Sequence, residues 1–372
     1  MPPVAVRILH PAPDPASGPL TRWVADARAT LAGHHRRGFT AAGADDVEIV
    51  GGPPDDRPFG DRLRDLVADV GEGGLIVLGS GSIPLATAND RRSLVAVAGG
   101  DARRALANNR YSADVVAISR VETLPAVPDL PGDNALPRWL EEVAGYQVDD
   151  LRRRWRLAID IDGPLDLVLV GAAGGGPAGD VALVESRIAA VRAVASDRRA
   201  EVLVSGRTSA ATLAWLERYS AARTRAWVEE RGLRAASRLA QGPGVVAGHA
   251  DDDTAVARRP TRLPGSILGA LLDRDGPGSL GDHLARFADA AIVDTRVLLA
   301  HRVGAEESAW PASEDRFASD LLLADRIADP WLRELTASAA AAPIPVLLGG
   351  HTLVGPGVRL VVGATPGRSP WR

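Results

Sequence analysis

The chain has 372 residues, of which 46% are hydrophobic and 24% are charged, and its formal net charge is −4. This composition is typical of a folded protein of about two domains, and it argues against a disordered chain and against a nucleic-acid partner. All 43 basic residues are arginine and no residue is cysteine, which excludes disulfides, thiolate metal sites, Walker-type phosphate loops and Schiff-base catalysis.

Short apolar runs alternate with stretches of helical periodicity through the first half of the chain. Strands are predicted at residues 4–9, 47–50, 75–79, 115–119 and 157–161, and helices at 20–42, 61–70, 88–98 and 136–144. Such alternation favours an α/β domain with a mainly parallel sheet flanked by helices.

A glycine-rich stretch at 171–179 separates this half from a second alternation. An apolar strand is predicted at 165–170, directly before this stretch. After it, strands are predicted at 201–205, 224–228, 291–299 and 345–348, helices at 181–195, 209–219, 280–288 and 330–340, and a polar surface loop at 248–264. We therefore predict two α/β domains, at 1–172 and 181–363, joined by a glycine-rich linker at 173–180 and followed by a frayed tail at 364–372.

The sequence contains no sign of targeting or membrane insertion. It has no uncharged apolar run near 18 residues, and its N-terminus lacks a basic region followed by an apolar one. We expect a cytoplasmic protein without a membrane partner.

Three carboxylates interrupt the apolar stretch at 155–171. On a strand, Asp160 and Asp162 project from the same side, and Asp166 follows a Gly-Pro turn. Two close carboxylates repel each other unless a cation or an arginine lies between them, and Mg²⁺ bound to substrate phosphates is held in this way. The alternative is that Asp162 ends the strand and Asp166 caps the next helix without any ligand.

The segment DIDGPLDL at 160–167 resembles the Asp-x-Asp-Thr-Pro-x-Asp-Leu motif of the MobA-like and CofC-like nucleotidyltransferases, which have the GT-A type of fold. LIVLGSGSIPLAT at 75–87, NNRYSADVVAIS at 108–119 and PGDNALPRWL at 131–140 resemble further family segments in the same order. The resemblance covers the N-terminal half. It implies Mg²⁺ on Asp160 and Asp162, and transfer between a nucleotide and a phosphorylated small molecule. The substrate contacts that it implies are Ser82, Asn108, Asn109, Arg110 and Asp114.

Two family motifs are replaced in this chain. The first strand runs into HPAPDPASGP at 10–19 in place of a glycine-rich phosphate loop, and Ser82 stands where the family carries a metal-binding Asp. These replacements support a second hypothesis, a non-catalytic nucleotide-binding or scaffold protein with a degenerate transferase fold.

The glycine-rich stretch also matches a dinucleotide-binding pattern. Gly174, Gly176 and Gly179 fit G-x-G-x-x-G between a predicted strand and a helix, and Arg207 suits a 2′-phosphate. An NADP-binding reductase is therefore a third hypothesis, and a plain linker is the alternative.

Polar residues at predicted strand ends give candidate sites in the second half. Arg207, Thr208 and Ser209 lie between a strand and a helix, where backbone amides form either an anion cradle or an ordinary N-cap. The other candidates for acid, base or ligand roles are Asp294, Arg296, His301, Asp315, Arg316 and His351. A small-molecule substrate is the expected partner, and self-association into a homo-oligomer is left open.

Overall fold

The computed structural model describes residues 2–53, 57–130, 132–174, 176, 180–230 and 264–363. The described residues form two compact units. Unit 1 contains residues 2–14 and 28–160, and unit 2 contains residues 15–27, 161–230 and 264–363. No helix in these ranges is long and apolar enough to cross a bilayer. The predicted loop at 248–264, except for its last residue, lies outside the described residues, and so do the tail at 364–372 and the linker positions 175 and 177–179.

Unit 1 is built from strands and helices that alternate along the chain. Its elements are β1 (Val4–Pro11), α1 (Pro19–Ala41, whose first turns belong to unit 2), β2 (Asp46–Gly52), α2 (Phe59–Val70), β3 (Gly74–Gly79), α3 (Ala88–Ala98), β4 (Arg104–Ala107), β5 (Val115–Ile118), α4 (Leu136–Glu142) and β6 (Gln147–Asp150). All the helices predicted for this half are confirmed, and so are its first four strands.

These strands form one six-stranded sheet in the order β2-β1-β3-β5-β4-β6. β5 runs antiparallel to its neighbours β3 and β4, whereas the other pairings are parallel. The α/β class is thus confirmed for unit 1, and its sheet is mixed because β5 is reversed between β3 and β4.

Side chains on both faces of this sheet are buried. Along β3, Leu75 and Val77 pack with α2 and α4, whereas Ile76 and Leu78 pack with α1 and α3. Successive strand residues point to opposite faces, so a continuous apolar strand is buried only when helices cover both sides. This packing leaves the two ends of the strands as the places where polar residues gather.

The predicted strand at 157–161 is wrong. A 3-10 helix covers Trp155–Ala158, and Asp160 makes a single antiparallel bridge with Ser82. Arg154 and Arg156 both pair with the buried carboxylate of Asp90, and they hold this segment against α3. Asp160 and Asp162 therefore do not share the face of a strand.

Unit 2 alternates in the same way. Its elements are α5 (Pro164–Leu169), α6 (Ala182–Ala195), β7 (Glu201–Gly206), α7 (Ala210–Tyr219), β8 (Arg223–Val228), α8 (Ile267–Asp275), α9 (Leu280–Ala285), β9 (Ala290–Asp294), α10 (Thr295–Val303), α11 (Ser313–Asp320), α12 (Pro330–Ala341), β10 (Val346–Gly349), α13 (His351–Val354) and α14 (Val358–Val362). β7 to β10 form a parallel four-stranded sheet in the order β10-β9-β7-β8.

Two predictions for unit 2 are wrong. The apolar run at 165–170 is not a strand, because Pro164 begins helix α5 and Asp166 accepts backbone hydrogen bonds at its start. The strand predicted at 291–299 ends at Asp294, whose side chain accepts from the Arg296 amide and caps α10. Both segments are apolar enough to be buried in either conformation, and the capping groups decide in favour of the helix.

Candidate functional site

The strand order of unit 1 creates a crevice at one end of its sheet. From β1 the chain moves to β2 on one side and then to β3 on the other side. The strand order therefore reverses between β1 and β3, and open α/β sheets bind their ligands at the carboxyl ends of the strands at such a switch point. A cavity of about 380 Å³ lies there, with walls from the ends of β1 and β3, the start of β5 and the turn before α4.

Charged side chains of both signs line this cavity. Three are arginines, Arg28, Arg57 and Arg62, and three are aspartates, Asp114, Asp133 and Asp160. Guanidinium groups bind phosphate and carboxylate oxygens through paired N–H donors. Such a lining suits an anionic ligand that also carries a cation or hydrogen-bond donors.

The turn after β3 forms one wall and is held in a strained conformation. Gly79, Ser80, Gly81 and Ser82 all line the cavity, and Ile83 follows with a φ of 44°. A β-branched residue in the left-handed region costs about 1–3 kcal/mol, and such residues cluster at functional sites. The surrounding contacts must therefore stabilise this turn.

A buried histidine provides one of these contacts. His35 of α1 is fully buried; its Nε2–H donates to the Ser82 carbonyl at 2.8 Å, and its Nδ1 accepts from Arg91 Nη2 at 3.4 Å. Burial, reinforced by the nearby Arg91 charge, lowers the pKa of His35 to about 3. The ring is therefore neutral, and it fixes the position of the Ser82 backbone beside the cavity.

A second histidine contacts the same turn from the end of β1. His10 Nδ1 lies 3.0 Å from the Ser80 Oγ, and the Ser80 amide donates to the Leu9 carbonyl at 2.9 Å. Burial lowers the pKa of His10, and the positive charge of Arg28 lowers it further. At neutral pH the His10 ring is uncharged and able to accept a proton.

Three of the residues selected from the sequence line the cavity: Ser82, Asp114 and Asp160. Asp162, the other half of the predicted carboxylate pair, is an exposed residue of unit 2, and its backbone amide donates to Asp166. Asp160 is thus the member of the pair that the structure places at the cavity of unit 1.

The predicted contacts at 108–110 have structural partners. Asn108 is buried; its amide nitrogen donates to Asp114 Oδ2 at 2.7 Å, and its side-chain oxygen accepts from the Asp114 amide at 2.9 Å. Asn109 accepts from the Tyr111 amide, and Arg110 forms an ion pair with Glu141. Asn108 therefore positions Asp114, whereas Asn109 and Arg110 stabilise the loop between β4 and β5.

The site can be tested for its fit to Mg²⁺. Among the described residues no three His, Asp or Glu side chains come together as a metal site. Mg²⁺ bound to substrate phosphates needs only one or two protein carboxylates, and the Asp160 carboxylate lies at the cavity wall. The residues therefore fit a Mg²⁺ that arrives with a phosphorylated ligand, and do not form a protein cage.

Unit 2 contains a buried charged cluster beside the carboxyl end of β9. Arg296 makes a two-pronged ion pair with Asp320, with Arg296 Nη2 2.7 Å from Asp320 Oδ2. Asp166 accepts from the amides of Asp162 and Gly163 at 2.9 and 2.8 Å. Burial, with the negative charges of Asp162 and Asp320, raises the pKa of Asp166 to about 8.

Arg207, Thr208 and Ser209 follow β7 in unit 2. Arg207 pairs with the buried Asp294 through two hydrogen bonds of 2.6 and 3.1 Å. Ser209 caps α7 by accepting from the Thr212 amide, and Thr208 is buried. The interpretation as an N-cap describes Ser209, and the Arg207 guanidinium is bound by a carboxylate of its own unit.

The remaining candidates of unit 2 make local contacts. Asp315 accepts from two backbone amides, and Arg316 pairs with Glu307. His301 Nδ1 accepts from the Ser266 amide and its Nε2 lies 2.9 Å from Asp273. His351 is half-buried at the start of α13. These contacts stabilise helix ends and loops.

The structure does not support the dinucleotide-binding interpretation of the glycine-rich stretch. The fingerprint requires a strand directly before its glycines, whereas residues 164–169 form α5. Gly176 packs so closely on the Trp23 ring that a Cβ would lie 2.4 Å from it, and Gly174 is a turn residue. Gly179 lies outside the described residues.

No model of a known protein family matches this chain, and no curated protein matches it. The site is therefore interpreted from its own geometry. Sequence reasoning missed Arg28, Arg57, Arg62, Asp133, His10 and Ser80. A signal was present for the last two, because His10 ends the first apolar strand and Ser80 follows the third.

Proposed function

We propose that unit 1 binds a nucleotide or another phosphorylated small molecule in the cavity between β1 and β3, in the manner of a nucleotidyltransferase. The main support for this proposal is that three arginines, Asp160 and the Ser80–Ser82 turn line one cavity at the switch point of the sheet. A ligand with several phosphate oxygens is the chemical class that such a lining complements.

The roles of the residues follow from their charge. Arg28, Arg57 and Arg62 take phosphate oxygens in place of the lysine that the chain lacks. Asp160 would hold Mg²⁺, and the ion would supply positive charge that stabilises the phosphate group of the ligand. Asn108 keeps Asp114 at the wall through two hydrogen bonds, so Asp114 is placed to accept from a sugar or amine hydrogen.

Calorimetric titration of the full chain with ATP, GTP and UDP-glucose, with and without Mg²⁺, tests the proposal. We expect binding that weakens about 10-fold to 100-fold in Arg62→Gln, because a hydrogen bond to a charged group contributes about 1.5–3 kcal/mol. Arg36→Gln is the matched control, since Arg36 is an exposed arginine that does not line the cavity. Equal affinities in both variants would contradict the proposal.

The metal role is tested with a second pair of variants. Asp160→Asn should remove the Mg²⁺ dependence of binding, whereas Asp162→Asn should retain it because Asp162 does not line the cavity. Loss of the dependence in both variants would instead support the carboxylate pair that the sequence predicts.

Binding without turnover is the second candidate function. It is favoured by Ser82, which supplies a hydroxyl where the resembled family has a carboxylate. Release of pyrophosphate from the bound nucleoside triphosphate, followed over hours with excess phosphorylated acceptors, separates the two: turnover supports the transferase, and tight binding with no pyrophosphate supports the binding protein.

A further inference from the structure

The Ser80 hydroxyl and the His10 ring form a pair that the proposed binding function does not use. Ser80 is 4% exposed, yet it lines the cavity, and its Oγ lies 3.0 Å from His10 Nδ1. A serine within hydrogen-bond reach of a neutral histidine has the arrangement of an activated nucleophile. The two residues come from the ends of β1 and β3, the strands that flank the switch point.

We propose that Ser80 is a catalytic nucleophile, activated by His10, that takes a phosphoryl group from a phosphate ester bound in the cavity. The inference rests on the proposed function in one respect, the phosphate-binding character of the arginine lining.

The reaction needs only the phosphate ester and water or an alcohol acceptor. The Ser80 hydroxyl transfers its proton to His10 Nδ1 while its Oγ bonds to phosphorus, and the bond from phosphorus to the leaving oxygen breaks. That oxygen takes the proton from His10. Water, or an alcohol acceptor, then attacks the phosphorus of the phosphoserine and gives its proton to His10 while the bond from phosphorus to Ser80 Oγ breaks. Oγ takes that proton from His10, which regenerates the Ser80 hydroxyl and releases inorganic phosphate or the phosphorylated alcohol.

The surroundings of the pair support this step. Burial and Arg28 keep His10 uncharged at neutral pH, so its ring is a proton acceptor before the attack. The arginines of the lining stabilise the negative charge that develops on the phosphoryl oxygens. The strained turn at Ile83, tied to His35 through the Ser82 carbonyl, keeps the Ser80 segment in one conformation.

Labelling by diisopropyl fluorophosphate tests the nucleophile independently of any natural ligand. An activated serine displaces fluoride and retains the diisopropylphosphoryl group, which is measured by intact mass and located by peptide mapping. We expect one label, on Ser80, in the wild type and in the control Ser93→Ala, whose exposed hydroxyl bonds only to its own helix. Ser80→Ala should remain unlabelled.

The role of His10 is tested by His10→Gln, which keeps a polar side chain of similar length. The rate constant for labelling should fall about 100-fold or more, as expected for loss of a general base, while the melting temperatures of both site variants show that they remain folded. An unlabelled wild type, a label elsewhere, or a His10→Gln rate equal to that of the wild type would overturn the inference. Nucleotide binding is measured separately, so a failure of either proposal is recognised by itself.

Discussion

The buried carboxylate of Asp166 should make the stability of unit 2 fall as pH rises. Its pKa rises from 3.8 to about 8 on folding, so between these values the folded chain holds a proton that the unfolded chain has lost. The stabilisation from this group is fully present below about pH 4 and is lost as pH rises towards 8. Each pH unit within this window changes the free energy of unfolding by at most about 1.4 kcal/mol.

The variant Asp166→Asn isolates this contribution. Its side-chain oxygen still accepts from the amides of Asp162 and Gly163, but it has no proton to lose. From pH 5 to pH 8 the stability of the wild type relative to the variant should therefore fall, with an upper limit of about 4 kcal/mol. Asp315→Asn is the matched control, because Asp315 also accepts from two backbone amides.

Urea unfolding of the full chain, followed by circular dichroism at pH 5, 6, 7 and 8, measures these differences. The wild type and Asp315→Asn should show the same slope with pH, whereas Asp166→Asn should show a shallower one. Parallel curves for the wild type and Asp166→Asn would refute the interpretation of Asp166 as a buried acid that is protonated at neutral pH.

Three further predictions concern the stability of the elements around the two sheets. His35→Leu should lower the free energy of unfolding by about 1–3 kcal/mol, because the Ser82 carbonyl loses its hydrogen-bond donor. His35→Gln should retain most of the wild-type stability, and urea unfolding of both variants measures the difference. Gly206→Ala should lower the melting temperature, since Gly206 has a φ of 128° and a Cβ would lie 2.2 Å from the Cβ of Asp294. In the control Gly132→Ala the new Cβ would have no atom within 4 Å, so its melting temperature should equal that of the wild type. Thr87→Ala should cost about 1 kcal/mol by removing the capping box of α3, and an unchanged urea midpoint would contradict this.

The periodicity of the chain predicts the long elements well and the short ones poorly. Helix α3 has the predicted bounds because its capping box and apolar spacing agree. β4, with the sequence RALA, and β6, with the sequence QVDD, were missed because they are short and carry polar residues, whereas the equally short but apolar β5 and β10 were predicted. α5 was interpreted as a strand because all six of its residues are buried and five of them are apolar, which removes the helical periodicity. Pro164 and Asp166 at its start were the available signals for a helix.

The candidate site was predicted only where residues adjoin recognisable strand ends. Ser82, Asp114 and Asp160 were selected in this way and line the cavity. Arg28, Arg57 and Arg62 come from a helix, a loop and another helix, and each resembles any other surface arginine in the sequence. Only the fold brings them to one end of the sheet, so their selection needs three-dimensional information.

Because every basic side chain other than histidine is an arginine, the protein's positive charges do not determine how phosphate binding depends on pH. Guanidinium groups keep their protons throughout the biological range, so the cationic side of the cavity is the same in acidic and alkaline surroundings. The second ionisation of a phosphate monoester, near pH 6, is then what strengthens or weakens the attraction. A phosphate ester should therefore be held more firmly above that pH than below it, with the protein acting as a fixed electrostatic background.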